Sequence, residues 1–215
     1  MSNNLKNKQG FTLIEVLIAI AVFTIGIMGA FGLALSNINT VKDNFNRVLS
    51  ANLSREGLEI VRNIRDSNWL KMEANEDCES GIGGLQICNW AQNLDPGFYY
   101  ADYNDLSLTP SSCSNLDTCI SSCTSAAICS LYLNTGVYDH GISSFKSNMS
   151  RIIQIENICM TDSGGAPVED YRDVSCDKSI GEDHAGIRVT SRVRWTGETS
   201  IIDIDSSELM YNWRR

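Results

Sequence analysis

An apolar segment near the amino terminus constrains this chain more than any other feature of its sequence. Between Phe11 and Leu35 the only charged side chain is Glu15. As a helix rising 1.5 Å per residue, the uncharged stretch 16–35 would cover about 30 Å, the hydrocarbon thickness of a bilayer. The apolar core of a secretory signal peptide is shorter, about 7 to 15 residues. The segment therefore predicts a membrane-spanning helix.

Glu15 is costly in such a helix. A carboxylate at the centre of a bilayer costs roughly 2.5 to 3.5 kcal/mol, so it normally has a partner and a role. The preceding residues 1–10 contain Lys6 and Lys8 and no acid, and a basic flank keeps the amino end of a membrane helix in the cytoplasm. A plain single-pass anchor would explain the length of the segment but not its glutamate.

The stretch GFTLIEVLIA, residues 10–19, resembles the processing motif of type IV prepilins and of the related pseudopilins of type II secretion. The resemblance implies that residues 1–10 are a leader peptide that the prepilin peptidase/N-methyltransferase removes by cutting after Gly10. Phe11 would become the methylated first residue of the mature chain. Glu15 would be the residue that aligns subunits during assembly into a filament.

The charges at the start of the mature chain would suit this implied role of Glu15. Cleavage would expose a protonated amine on Phe11, and an opposite charge within about 4 Å stabilises a carboxylate in a helix bundle of low dielectric constant. Two helices displaced along one another would bring Glu15 of one subunit to the amine of its neighbour. On this hypothesis only assembly supplies the missing partner.

Beyond Leu35 the apolar pattern narrows to a stripe with polar residues on the opposite face. The stripe consists of Ile38, Val41, Phe45, Val48, Leu49, Leu53, Ile60, Val61 and Ile64. We predict one continuous helix from Phe11 to about Asp66, with a carboxyl-terminal domain packed on residues 41–64. Three glycines in the apolar half are predicted to pack against other helices, or alternatively to weaken the helix locally. They are Gly26, Gly29 and Gly32.

The cysteines predict a cross-linked region in an oxidising compartment, because they are even in number and all lie beyond the apolar segment. They are Cys78, Cys88, Cys113, Cys119, Cys123, Cys129, Cys159 and Cys176. Residues 71–135 are predicted to be mostly loops with short strands among them, for instance around 98–103. We favour pairs between neighbours in sequence: 78 with 88, 159 with 176, and the other four among themselves. A zinc site is not favoured, because the sequence has no C-x-x-C and His140 and His184 are isolated.

Three segments near the carboxyl terminus predict an antiparallel sheet: 151–160, 186–195 and 199–205, with a hairpin at 196–198. In the second strand one face would be apolar, formed by Ile187, Val189, Val193 and Trp195. The other face would carry Arg188, Thr190, Arg192 and Arg194. The arginines are a candidate basic patch for DNA or lipid. The alternative, which we favour, is a solvated face on which Asp203 and Asp205 of the neighbouring strand neutralise them.

Composition and motifs argue against several other functions. The formal net charge is −9 and the isoelectric point is near 4.7, whereas capture of nucleic acid or an anionic membrane needs a basic surface. No phosphate-binding glycine loop and no Ser/His/Asp set is evident. The acidic pairs at 169–170 and 182–183 are predicted to be solvated. We therefore expect a non-enzyme that needs no cofactor and no metal.

The predicted architecture is α+β and resembles that of type IV pilins: one long helix, half membrane-embedded and half amphipathic, packed on an antiparallel sheet beside a disulfide-rich region. The predicted segments are the leader 1–10, the transmembrane or filament-core half 11–35, the amphipathic half 36–68, the cysteine-rich loops 69–150 and the sheet 151–215. The single-pass precursor would lie in the cytoplasmic membrane, and the assembled subunit would lie in a filament at the cell surface.

The family resemblance also implies partners and leaves alternatives open. The partners are the processing enzyme, membrane lipid before assembly, the inner-membrane assembly platform, and other pilin subunits contacted through the amino-terminal helix. The motif LSREGLEIVRNIRDSNW and the closing LMYNW resemble minor, PilV-like pilins. The filament would serve adhesion, motility or DNA uptake. Alternatives are a type II secretion pseudopilin, and a membrane-anchored extracytoplasmic binding module that is never cleaved or assembled.

Overall fold

The computed structural model describes residues 12–74, 89–123, 129–142, 145–161, 168–197 and 201–212, and the backbone alone of 79–80 and 86–87. The chain divides into two compact units, residues 1–45 and 46–215. The described part of the first unit is helical from residue 13 onward. The second unit contains the sheet and the cysteines.

Helix α1 spans Leu13–Ala74 without interruption. This confirms the single long helix and extends it about two turns beyond its predicted end at Asp66. In the second unit its buried face begins near Ser50 and ends at Trp69. Within the second unit the predicted packing stripe began too early, since Val48 is more than 60 % exposed. Apolar spacing predicted which face of the helix is buried but not where the sheet begins to cover it.

The other elements within the described residues are mainly strands, together with a short α-helix and a 3₁₀ turn. The strands are Glu79–Ser80 (β1), Gln86–Ile87 (β2), Gly97–Tyr100 (β3), Thr109–Ser111 (β4), Ser130–Asn134 (β5), Val137–Asp139 (β6), Lys146–Thr161 (β7), Val168–Arg172 (β8), Glu182–Thr196 (β9) and Ile201–Tyr211 (β10). Helix α2 is Leu116–Ser122 and the 3₁₀ turn is Lys178–Ile180. Strands β1 and β2 form a separate two-stranded antiparallel sheet, and the other eight strands form one antiparallel sheet.

Strand β7 is the central strand of the main sheet and pairs with four other strands. Along one edge it pairs with β9 over almost its whole length, and β10 pairs with the far side of β9. Along its other edge it pairs in turn with β5, β3 and β8. The three predicted strands are confirmed, each longer than predicted. Strands β9 and β10 are paired antiparallel as predicted, but the turn predicted at 196–198 is wrong in its position, since Thr196 belongs to β9 and pairs with Ile201. Residues 198–200 lie outside the described part.

Both faces of this sheet are covered. On one face, Ile153 and Val189 pack against Val61 and Ile64 of α1. On the other face, Ile152 packs against Phe98 and against Ile120 of α2. A strand buried on both faces loses strict alternation of apolar and polar residues, which explains the run of isoleucines in β7.

Two features of the cysteine-rich segment differ from the prediction that it is mostly loop. Helix α2 was not predicted, and it is capped by Asn115, whose side chain accepts the Thr118 N–H while the Thr118 hydroxyl contacts the Asn115 backbone. Strands β5 and β6 were also not predicted. The strand expected around 98–103 is present as β3, which ends at Tyr100.

Candidate functional site

The amino-terminal turn of α1 is ordered around Thr12. The Thr12 carbonyl accepts the backbone N–H groups of Glu15 and Val16 at 3.1 and 3.3 Å. The Thr12 hydroxyl oxygen lies 3.4 Å from the Glu15 nitrogen and accepts the same N–H. A threonine followed three residues later by glutamate is typical of a helix amino terminus, where each side chain can satisfy a free backbone N–H. The glutamate therefore lies in the first turn of the helix.

The Glu15 side chain is exposed. Within the described residues its carboxylate has no ion pair and no side-chain hydrogen bond. Gly10 and Phe11, the predicted cleavage and methylation positions, lie outside the described part of the chain. The structure thus places Glu15 at the start of an apolar helix and provides no partner for its charge within the residues that it describes.

The first half of α1 is apolar on all sides. It contains an 18-residue window with mean hydropathy 2.5, none of which is buried within the protein. By length and composition the helix can cross a membrane. A Cβ atom built on Gly26, Gly29 or Gly32 would meet no atom within 4 Å, so the close helix packing predicted for these glycines has no counterpart within the described chain.

The arginine face of β9 is neutralised by carboxylates. Arg192 donates to both carboxylate oxygens of Asp205 at 2.7 and 2.6 Å, and Arg194 donates in the same way to Asp203 at 2.7 Å. Arg188 donates two hydrogen bonds to Glu156 at 2.7 and 2.6 Å. The predicted pairing with Asp203 and Asp205 is present, but the face is covered rather than solvated, since the side chains of Arg192 and Arg194 are only 17 % and 13 % exposed.

Two residues of α2 extend this network, which the sequence did not predict. Asp117 accepts a further hydrogen bond from Arg192, and the Ser121 hydroxyl accepts one from Arg194 at 3.0 Å. The carboxylates raise the pKa of the arginines, mainly through hydrogen bonds. The Arg194 guanidinium in turn lowers the pKa of Asp203, more than burial raises it. The guanidinium groups of Arg192 and Arg194 therefore already have carboxylate partners within the protein.

Three disulfides lie in the described part of the chain. Cys113 pairs with Cys119, Cys123 with Cys129, and Cys159 with Cys176. The first two bracket α2 and fix it to the core around Ile120. Cys78 and Cys88, which we expected to pair, lie outside the described residues, so that pair stays a prediction.

The two histidines are not isolated in space. Nδ1 of His140 lies 2.6 Å from Oδ1 of Asp102, and the same oxygen accepts the His140 backbone N–H. The ring of His184 packs against Trp90 with centroids 5.1 Å apart. The partner of His140 is 38 residues away in sequence, and no motif connects the two. Within the described chain, no group of three or more metal-binding side chains occurs.

One acidic pair differs from its prediction. Glu182 is 2 % exposed rather than solvated. It accepts hydrogen bonds from Arg172 at 3.1 Å and from the Asp177 backbone N–H at 2.8 Å. A buried carboxylate needs such compensation, and its role here is to hold the loop that precedes β9.

Comparison with known proteins identifies the amino-terminal region alone. Residues 5–31 match the family model of the prokaryotic N-terminal methylation motif. The match covers positions 10, 11 and 15 and most of the apolar half of α1. No curated protein and no solved structure matches the chain.

Proposed function

We propose that this chain, which carries the type IV prepilin signature, is cut after Gly10, methylated on Phe11 and assembled as a minor subunit of a type IV pilus-like filament. The observation that carries the proposal is the methylation motif, which spans the start of an unburied apolar helix. The motif points to a structural subunit rather than an enzyme. The neutralised arginine face gives no support to a separate role in DNA binding.

Glu15 fits the proposed assembly mechanism. Its carboxylate lies in the first turn of α1 without a partner in the described chain. In a bundle of such helices a neighbouring subunit would supply the methylated amine of its first residue. Burial of the charge then becomes favourable only in the filament, because the pair must form to offset the cost of desolvation.

Intact-mass and amino-terminal peptide analysis of the protein from its native envelope tests the proposal. We expect a chain that begins with methylated Phe11 and lacks residues 1–10. A chain that retains its leader in cells with an active prepilin peptidase would instead indicate a simple anchor. Recovery of the processed chain in sheared surface filaments would favour a pilus, and its confinement to the periplasm alongside a secretion machine would favour a pseudopilin.

Substitution of Glu15 tests the assembly step separately. Glu15→Gln keeps a side chain that can cap the helix amino terminus but removes the charge, so we expect normal insertion and cleavage and about tenfold less subunit in sheared filaments. Asp43→Asn, a matched change on the exposed part of the same helix, should leave incorporation unchanged. Normal incorporation of the Glu15→Gln subunit would mean that the glutamate serves only the helix end.

A further inference from the structure

A cavity of about 740 Å³ lies at one end of the sheet. Five segments of the second unit form its walls: the turn at 89–95, strand β7, the loop that follows β8, the start of β9, and the residue after β10. Small-molecule sites typically have volumes of about 300 to 1,000 Å³. The volume and position of the cavity therefore suit a ligand, and nothing in the proposed filament function uses it.

The walls of the cavity are rigidly held. Asn68 of α1 donates to the carbonyls of Trp90 and Gln92 at 3.1 and 2.7 Å, which ties the turn to the helix. On the opposite side the Cys159–Cys176 disulfide fixes the loop to β7. A site whose walls are preformed loses less conformational entropy when a ligand binds.

Polar groups with hydrogen-bonding capacity line this cavity. Asp95, Lys178 and Asp183 are exposed and form no ion pair within the described chain. The Asn89 side chain uses its oxygen to accept the Ala91 N–H at 3.0 Å, which leaves its two N–H donors available. The Asn157 side chain donates to the Val174 carbonyl at 3.1 Å, which leaves its oxygen as an acceptor.

His184 adds a neutral group. Burial lowers the pKa of its imidazole, and the nearby Lys178 charge acts in the same direction against the backbone of Gly186. Its Nε2 atom is buried and has no hydrogen-bond partner among the described residues. Because that atom is closed to solvent, a ligand in the cavity would contact the accessible part of the imidazole ring rather than Nε2.

The chemistry of the lining selects a class of ligand. Two carboxylates face one ammonium, which disfavours an anion. Amides and carboxylates together can donate to and accept from hydroxyl groups, while Trp90, Ala91 and Leu94 line the cavity with apolar side chains that suit C–H groups. We infer that the cavity binds a neutral, hydroxyl-rich ligand, namely a sugar unit of a surface glycan.

Saturation-transfer NMR on the full chain tests this inference. The protein is held in a zwitterionic detergent, because a glycoside detergent would itself compete. The probes are the methyl glycosides of glucose, galactose, mannose and N-acetylglucosamine, with glucuronic acid and lysine methyl ester as charged comparisons. We expect at least one neutral glycoside to bind saturably and both charged probes to bind more weakly.

Matched variants locate the binding. Asn89→Ala and Asp183→Ala each remove one lining group and should weaken binding of that glycoside about threefold to tenfold, the effect of one lost hydrogen bond. Asn104→Ala, an exposed asparagine outside the cavity, should leave binding unchanged. The inference is overturned if no neutral glycoside binds, if a charged probe binds as tightly, or if the control weakens binding as much. None of these outcomes depends on processing at Gly10.

Discussion

At the scale of single residues, Arg151 makes the most demanding contact in the protein. Its side chain is completely buried. The guanidinium donates to the Leu53 carbonyl at 3.2 Å, to the Ala101 carbonyl at 2.6 Å and to Glu56 at 2.9 Å. It thereby joins α1, the chain after β3 and the central strand β7. A buried charge is tolerated only when paired and hydrogen-bonded.

Removing the charge of Glu56 should therefore destabilise the second unit. We expect Glu56→Gln to lower the free energy of unfolding by about 1 to 3 kcal/mol, because hydrogen bonds to a buried charge are worth that much. Glu59→Gln, on the same helix, removes an exposed pair with Arg62 and should cost less than about 0.5 kcal/mol. Urea unfolding followed by tryptophan fluorescence measures both, and equal costs would contradict this account of Arg151.

The contact between Asp102 and His140 predicts a dependence of stability on pH. Burial alone would raise the pKa of Asp102, but the hydrogen bond and charge of His140 lower it below its usual 3.8. A carboxyl group whose pKa is depressed by folding stabilises the fold above its unfolded pKa. That stabilisation is lost as the pH falls through the lowered value.

The Asp102→Asn variant tests the predicted direction of this pH dependence. The variant should be less stable than the wild type at pH 5, and the difference should shrink as the pH is lowered from 4 toward 2.5. Urea unfolding at a series of pH values gives the two stability curves. His140→Gln should flatten the acid limb to the same extent, and adding it to Asp102→Asn should change little. Parallel curves for wild type and variant would rule out the predicted coupling.

At the scale of secondary structure, small residues allow α1 to approach the sheet. Ser50 and Ser54 are completely buried on α1, and the Ser54 hydroxyl donates to the Ser191 carbonyl of β9 at 2.7 Å. One turn later, a Cβ built on Gly57 would lie 2.4 Å from the Ser191 hydroxyl oxygen and 3.1 Å from the Ser191 Cβ. The apolar stripe that predicted the helix face did not include these small residues, although they mark its closest contact.

Gly57→Ala should consequently destabilise the second unit by about 1 to 2 kcal/mol, since overpacking outweighs the gain in helix propensity. Ser191→Ala removes the nearest atom, so the double variant should recover most of the loss. Gly29→Ala, which meets no neighbouring atom, serves as the control and should not change unfolding of this unit. Additive effects of the two substitutions would show that they do not touch.

Helix α2 could be predicted only in part from its local sequence. Its start carries a capping pair, Asn115 and Thr118, which is visible in the segment SNLDTC. The helix has only seven residues, and isolated helices of that length are not stable in water. Its stability comes from two disulfides and from the burial of Ile120. Periodicity over so few residues could not separate it from a loop.

At the scale of the whole molecule, the disulfides contribute according to the chain that each one closes. The bond between Cys159 and Cys176 spans 17 residues, whereas the bond between Cys123 and Cys129 spans six. In the chain-entropy model a longer closed loop removes more entropy from the unfolded chain, about 3 kcal/mol for the former and about 2 kcal/mol for the latter.

Removing each disulfide by a pair of Cys→Ala substitutions tests which of the two stabilises the fold more. We expect Cys159→Ala with Cys176→Ala to lower the free energy of unfolding by about 3 kcal/mol, and the same change at Cys123 and Cys129 to lower it by about 2 kcal/mol. Urea unfolding of both variants and of the parent gives the comparison. A larger loss at the shorter loop would mean that packing around α2, rather than loop entropy, dominates.

The sequence by itself determined the features that depend on neighbouring residues. An apolar run of sufficient length specifies a helix that can cross a membrane, and alternation specifies the inner and outer faces of β9. The motif around Glu15 needs no tertiary contact to be recognised. The sequence also indicated that acidic residues of β10 neutralise the arginines of β9, although the register that pairs Arg194 with Asp203 and Arg192 with Asp205 differs from that of the predicted three-residue turn.

Only the tertiary structure decided which distant groups meet. Arg151 pairs with Glu56, His140 contacts Asp102, and His184 lies in the wall of a cavity built from five separate segments. It also decided that the buried part of α1 begins near Ser50. These contacts depend on how the strands are ordered beside β7, and local periodicity carries no information about that order. The physical reason is that side-chain spacing fixes the direction in which a residue points, whereas its partner is fixed by packing across the whole chain.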